Sequence, residues 1–392
     1  MWNPTTELEL LLCAARVDQD GDRAARIREL LRRQPDWHRL TQMARRHGLV
    51  PLLYRSILAA WPTGLDLAAL AELESLYQAN ARRSLLLTAE LLRCLDLLAS
   101  HGVDAVPLRG PALAQSVYGD ASLRQYDDLD ILVHRRNVLK GRDLLTAQGY
   151  SSALPLNRAE EVAFLRSQSE MKLLRDAGLH LFVELHWAIT ERYFSFPLDP
   201  EALWQRLVPT CLEGRRVPTL SPEDQLMIAC AHGTKHAWRR LGWICDVSRL
   251  IVTYPELDWS WLLSQARALR SERMLLLGLA LAGSLLGSPL PQRVESAVRC
   301  DPSVARLAGE VRQRLCHATE EPLGLVSTAQ FHLRARERLE DKVRYCVLLA
   351  ATPTPGDWAA VALPPALFPL YYLLRPFRLI AEYGLHRPGK AR

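Results

Sequence analysis

The spacing of apolar and polar positions changes twice along this chain. Over the first hundred residues apolar side chains recur every three or four positions. They do so at 8–15, at 27–31 beyond a polar break at 18–22, and on a face of Leu40, Met43, Ala44 and His47 after a start signal at Asp36-Trp37. The same spacing continues at 54–60, 65–81 and 85–98, with Gly102 placed to close the last helix. From 103 to about 198 short strands and helices alternate. Val103 to Leu108 is one apolar run, and a polar loop ending in Asp127-Asp128-Leu129-Asp130 leads into another, Ile131-Leu132-Val133. Helices are expected at 136–148 and 158–168. Two antiparallel strands follow, at 170–174 and 179–187, joined by the turn-forming set Asp176-Ala177-Gly178. Beyond Pro197 the helical spacing returns. Ser221-Pro222-Glu223-Asp224 combines a serine cap, a proline at the first position and acids in the first turn. Further helices are expected at 259–269, 274–286, 306–317 and 333–349, then a linker at 352–357 whose Asp357 caps a short helix.

The stretch from Val103 to Tyr150 carries the densest chemistry. Side chains alternate faces along a strand, so Asp128 and Asp130 project together while Leu129 and Ile131 point to a core. Two neighbouring carboxylates repel each other unless a cation lies between them, and hard oxygen ligands on a rigid element suit Mg²⁺. Upstream, Arg109-Gly110-Pro111 lies between the first strand and a helix that proline is well suited to begin. Strand, glycine turn and helix N-terminus together make an anion site, to which Arg109 adds a charged fork. On the strand at 179–187, Leu181, Val183, Leu185 and Trp187 face one way and Phe182, Glu184 and His186 the other. A carboxylate on the polar face of an interior strand is the third acid of such a site.

These segments, LRGPALA, VYGD and RQYDDLDILV in that order, with ELHW and HGTKHAWRRLGWICD downstream, resemble the bacterial uncharacterised nucleotidyltransferase family of the polymerase-β-like superfamily. The resemblance implies an α+β fold, a small mixed or antiparallel nucleotidyltransferase sheet with flanking helices, inserted between N- and C-terminal helical regions. The corresponding divisions are 1–100, 101–200, 201–350 and a terminal linker and amphipathic segment, 351–392. It implies Asp128, Asp130 and Glu184 as catalytic acids and ligands of two Mg²⁺ ions. Arg109, Gly110, Lys235, His232 and His236 are implied around the nucleotide, with Arg124 and His186 as further site residues. Pro111 stands where many superfamily members carry a phosphate-contacting serine. The implied reaction moves a nucleoside monophosphate from a triphosphate, ATP first, to an unidentified hydroxyl-bearing or similar acceptor. A kinase-like phosphoryl transfer with the same metals, or an inactive fold retained to bind a peptide or protein, are the alternatives. Asp130→Asn is expected to remove a metal ligand with little effect on folding. Asp246 is expected to pair with Arg239 or Arg240.

Composition narrows the partners. The 392 residues carry a net charge of +6, and only five of the 49 basic residues are lysine. The charge is spread out, without a basic stripe interleaved with aromatics, which disfavours nucleic acid. Eight cysteines without metal-like spacing read as buried hydrophobes of a reducing compartment, and with no leader pattern the expected location is cytoplasmic. His232 and His236 are spaced as a zinc pair, yet no further ligand is near, and zinc is disfavoured. The segment at 363–385 is too interrupted by Pro369, Pro376, Arg375 and Arg378 to span a bilayer. It reads as an amphipathic piece docked on the helical body. Contact with a membrane surface through the following His386, Arg387, Lys390 and Arg392 is the less favoured reading.

Overall fold

The computed structural model describes residues 4–17, 22–60, 67–152, 158–176, 178, 180–316, 324–361 and 363–379. Most of the expected break at 18–22, Ala177 of the expected turn, and the basic end from 380 onward with His386, Arg387, Lys390 and Arg392 lie outside the described residues.

Helices α1 (Thr6–Ala15), α2 (Arg23–Arg32), α3 (Trp37–His47), α4 (Val50–Ala60) and α5 (Leu67–Ser100) open the chain. Asp36 caps α3, its carboxylate accepting from the Arg39 N–H, and Gly48 ends that helix in the left-handed conformation. Two helices are expected between 65 and 98, but the structure has one. The segment from 67 to 100 contains no glycine or proline, and Arg82-Arg83 between the two apolar runs are good helix formers. The 34 residues of α5 extend about 50 Å at 1.5 Å per residue. Leu70 and Leu73 at its start join the helical core, and Leu87, Leu91, Cys94 and Leu98 cover the sheet at helical spacing. One element thus ties both cores together.

The sheet contains β1 (Ala105–Pro107), β2 (Asp128–Val133), β3 (Ser151–Ser152), β4 (Glu170–Asp176) and β5 (His180–His186) in the order β1-β2-β5-β4-β3. Only β2 and β5 are parallel; the other neighbours are antiparallel. Helices α6 (Gly110–Tyr118), α7 (Val138–Thr146) and α8 (Arg158–Ser167) connect the strands. Leu129, Ile131, Val133, Val183 and Leu185 fill the core beneath the sheet, which leaves the alternate positions of β2 and β5 for the other face. The fold is the expected α+β arrangement with a small mixed sheet.

The region beyond residue 200, expected to be all helical, differs at its start. After a single turn, α9 (Pro200–Leu203), strands β6 (Val208–Leu212) and β7 (Arg215–Thr219) form a separate hairpin. Its two-residue turn, Glu213-Gly214, has positive φ at both positions (48° and 74°), the conformation that matches strand twist. Leu212 and Val217 from the hairpin enter the sheet core.

Helices then follow: α10 (Pro222–Lys235), α11 (Leu241–Thr253), α12 (Trp259–Ala268), α13 (Glu272–Leu286), α14 (Gln292–Cys300), α15 (Pro302–Cys316), α16 (Leu325–Arg334), α17 (Leu339–Ala351), α18 (Pro355–Ala360) and α19 (Tyr371–Leu379). Ser221 caps α10 as expected, its hydroxyl accepting from the Asp224 N–H at 3.2 Å. Thr354, not Asp357, sits at the cap of α18. Asp357 lies at the third position and accepts from the Thr354 N–H at 2.7 Å. Arg375 of α19 is buried, donating to Asp357 at 2.7 Å and to the Leu349 carbonyl at 3.1 Å, so the described part of the terminal segment, up to Leu379, docks on the helical body. No helix among the described residues is long and apolar enough to cross a membrane.

Glycine permits close approaches in this region, one of them against an indole ring. A Cβ on Gly233 of α10 would stand 2.5 Å from the Trp238 ring, which is fully buried. Gly233→Ala is therefore expected to destabilise the protein by about 1–3 kcal/mol through overpacking, measured by urea unfolding.

Candidate active site

The parallel register of β2 and β5 builds the site. Asp130 lies opposite Glu184 and Asp128 opposite Phe182, and the period-two alternation puts Asp128, Asp130, Glu184 and His186 on the face away from the sheet core. The imidazole Nε2–H of His186 donates to Asp130 Oδ1 at 2.9 Å and lies 3.6 Å from Glu184 Oε2. On the other side Arg109 donates to the same Asp130 oxygen at 3.0 Å. Asp130, Glu184 and His186 form a buried group whose ligating atoms all lie within 4.8 Å of one another, and it could hold a metal ion.

Position decides the charge of each acid. Burial pushes the Asp128 carboxyl up, reinforced by the negative charges of Asp130 and Glu184, to about 6. Asp130 is more deeply buried, but Arg109 and His186 outweigh that cost and hold its carboxyl well below the usual carboxylate range. Glu184 is lowered as well: burial opposes the shift, while the nearby His186 and a hydrogen bond from Lys172, at 2.5 Å, dominate. Burial disfavours a charged His186, yet Asp130 and Glu184 overcome it and raise the ring to about 10. Because that value lies above the ordinary 6.5, the stability His186 contributes is fully present below pH 6.5 and is lost as pH rises through about 10. His186 is thus expected to be an imidazolium near neutral pH in the metal-free protein, which ring-nitrogen NMR shifts would report.

The expected effect of Asp130→Asn needs correction in this light. Asp130 is not an isolated ligand but the shared counter-charge of two buried cations. Its loss removes the nearest counter-charge of both Arg109 and His186, and folding is expected to weaken together with function.

Arg109 caps α6 and Gly110 opens it, where the sequence puts an anion cradle. Gly110 has φ +61°, a conformation that L side chains rarely adopt, and a Cβ there would stand 3.6 Å from the Asp128 carbonyl. Gly110→Ala is expected to cost about 1–2 kcal/mol through this backbone strain, read from urea midpoints. Arg109 Nη1 donates to the His232 ring at 2.6 Å, and His236 packs tilted against His232 with centroids 4.6 Å apart. Burial and the nearby Arg109 keep His232 neutral, and burial with Lys235 lowers His236 to about 3. The two histidines are an uncharged lining, and Trp243 packs against both.

Lys235 also reaches the cleft, but its ammonium is held by Glu191 at 2.7 Å. Arg124 is on the rim with its fork turned away: Nε and Nη2 donate to the two oxygens of Asp246, each at 2.9 Å, and the Tyr118 hydroxyl adds a third bond at 2.8 Å. The expected partners of Asp246, Arg239 and Arg240, are not the ones it takes.

Two cavities flank the acids. One, of about 240 Å³, is lined by Arg109, Arg124, Arg239, Arg240, Tyr126 and Trp243 beside Asp128 and Asp130. The other, of about 330 Å³, continues past Asp128, Glu184 and His186 to Glu170, Lys172, Tyr193 and Glu191. Glu170 and Lys172 were not expected in the site. They stand opposite His186 and Glu184 in the antiparallel β4–β5 pair. Centring the expected hairpin on Gly178 gives these pairings directly.

The family model described as uncharacterised nucleotidyltransferase matches residues 33–287. The chain belongs to that family. No curated protein matches it. Among solved structures, an antigenic nucleotidyltransferase-like protein from Paracoccidioides brasiliensis is similar at 18% identity and a TM-score of 0.32, over 56% of this chain and 96% of its own. Family membership supports a nucleotidyltransferase-type function, and the Asp130–Glu184–His186 group could hold a metal ion.

Proposed function

We propose that this protein transfers a nucleoside monophosphate from a nucleoside triphosphate, ATP first, to a hydroxyl or similar nucleophile on an acceptor, releasing pyrophosphate. The observation that carries the reading is the in-register placement of Asp130 and Glu184 on parallel strands, with Asp128 on the same face and the glycine turn alongside. Carboxylates gathered at this density fit divalent cations, and Asp128, Asp130 and Glu184 would hold them. Two divalent ions would neutralise the triphosphate and the leaving pyrophosphate.

The chain's own groups divide the remaining work. The N–H groups at the start of α6 and the Arg109 fork would receive phosphate oxygens. The arginine-lined cavity, whose four arginines outnumber its three acids Asp127, Asp128 and Asp130, suits the polyphosphate tail, and Trp243 offers an apolar face beside it. The acceptor would enter from the larger cavity on the Glu170–Glu191 side, where Glu184 stands nearest to receive or position its proton. Lys235 would reach a phosphate only by giving up Glu191. On this reading residues 101–200 are the catalytic core, and the helical region 201–350 forms the far wall of the cleft.

Incubation with α-labelled and γ-labelled triphosphates and an extract of the host tests the proposal. Label from the α position is expected on an acceptor with the wild-type protein and not with Asp128→Asn. Transfer of the γ label instead would make the protein a kinase and overturn it.

A further inference from the structure

His186 makes the metal site chemically unusual. Its ring is 3% exposed and is fixed by β5 two residues beyond Glu184, on the same face. Nε2 points at Asp130 Oδ1, 2.9 Å away, and Glu184 Oε2, 3.6 Å away. That convergence fits one ion bonded at about 2 Å to each ligand. The opposite ring nitrogen gives an independent indication. Nδ1 is buried and has no hydrogen-bond partner, and Glu170 Oε2 lies 3.6 Å from it. A histidine that ligates a metal through one nitrogen characteristically turns its other N–H to a carboxylate, which fixes the tautomer and the ring plane. Glu170, opposite His186 across β4 and β5, occupies that outer position.

We propose that one divalent ion is ligated by His186 Nε2 with Asp130 and Glu184, that Glu170 is its positioning residue, and that the site therefore favours a nitrogen-accepting transition-metal ion over Mg²⁺. Imidazole is a poor ligand for Mg²⁺, which keeps oxygen ligands and water, whereas first-row transition ions accept it. On binding, the ion would displace the Nε2 proton to solvent and take its place beside Asp130 Oδ1. The inference deepens the proposed function, since it concerns the same carboxylates and leaves Asp128 to contact a second ion or the nucleotide.

The test uses Mn²⁺ and the full-length protein without nucleotide, read by electron paramagnetic resonance and by competition with Mg²⁺. One bound Mn²⁺ is expected, showing nitrogen hyperfine coupling and displaced only by a large excess of Mg²⁺. In His186→Gln the coupling should vanish and Mn²⁺ affinity fall about tenfold or more, with Mg²⁺ affinity nearly unchanged. Glu170→Gln should retain the coupling with affinity lowered about 10-fold, as for an outer carboxylate. Mn²⁺ bound to the wild-type protein without nitrogen coupling overturns this inference and leaves the proposed function standing. If neither ion binds, with or without ATP, both fall. The wild-type spectrum decides the matter even if His186→Gln does not fold.

Discussion

Asp128→Asn is expected to abolish nucleotidyl transfer, by about a thousandfold or more, and at the same time to raise the melting temperature of the metal-free protein slightly. The two effects share one cause. Burial and the charges of Asp130 and Glu184 raise its carboxyl to about 6, above the ordinary 3.8. Its ionised form is therefore disfavoured in the folded state, and the cost grows as pH rises from about 4 through 6 and persists above. Removing the charge relieves that repulsion, on the order of 1 kcal/mol at neutral pH once partial exposure is allowed for. The same charge is what a divalent ion and a triphosphate require. Activity and stability should thus move in opposite directions, and thermal melts beside an α-label transfer assay would show it. In the wild-type protein, metal affinity should weaken as pH falls below about 6 and Asp128 takes up its proton. A drop in melting temperature for Asp128→Asn would mean that the aspartate has a structural role.

The second large effect is expected at the rim of the cleft. Asp246→Ala should destabilise the protein by about 3–5 kcal/mol, because it strands the Arg124 guanidinium in a buried position. The Arg124 and Asp246 side chains are only 12% and 7% exposed, and the pair is bidentate. It joins the loop before β2 to α11, with Tyr118 of α6 completing the knot. Replacing both partners by apolar groups, as in Arg124→Met with Asp246→Leu, should cost clearly less than the single change, since no buried charge is then left alone. Urea unfolding of the two singles and the double provides the cycle. Additive losses would show that the two residues act independently and that Arg124 is free to serve the nucleotide.

Much of the site was legible in the sequence because period-two alternation is a local property. It puts Asp128 with Asp130, and Glu184 with His186, without any knowledge of which strands meet. Helix caps at Asp36 and Ser221 are local in the same sense. What escaped the sequence depends on distance or on atypical turn chemistry. Arg124 and Asp246 are 122 residues apart, and no pattern within either segment points to the other. Glu170 and Lys172 enter the site only through the β4–β5 register, and the Leu173-Leu174 pair beside them blurs the alternation. The β6–β7 hairpin turns on Glu213-Gly214, which lacks the asparagine or aspartate that usually announces such a turn, and proline occupies each strand. The division of the cleft into an arginine-lined and a glutamate-lined cavity follows from how α10 and α11 pack over the sheet, which local pattern does not encode.

The acids on β2 and β5 have their purpose only if a divalent cation and a nucleotide tail neutralise them together. Calorimetric titration of ATP into the wild-type protein and Asp128→Asn, each with and without a divalent ion, tests that dependence most directly. Saturable binding is predicted for the wild-type protein when the ion is present, with little or none in its absence or in Asp128→Asn. Equal binding under all four conditions, or none under any, would contradict the account.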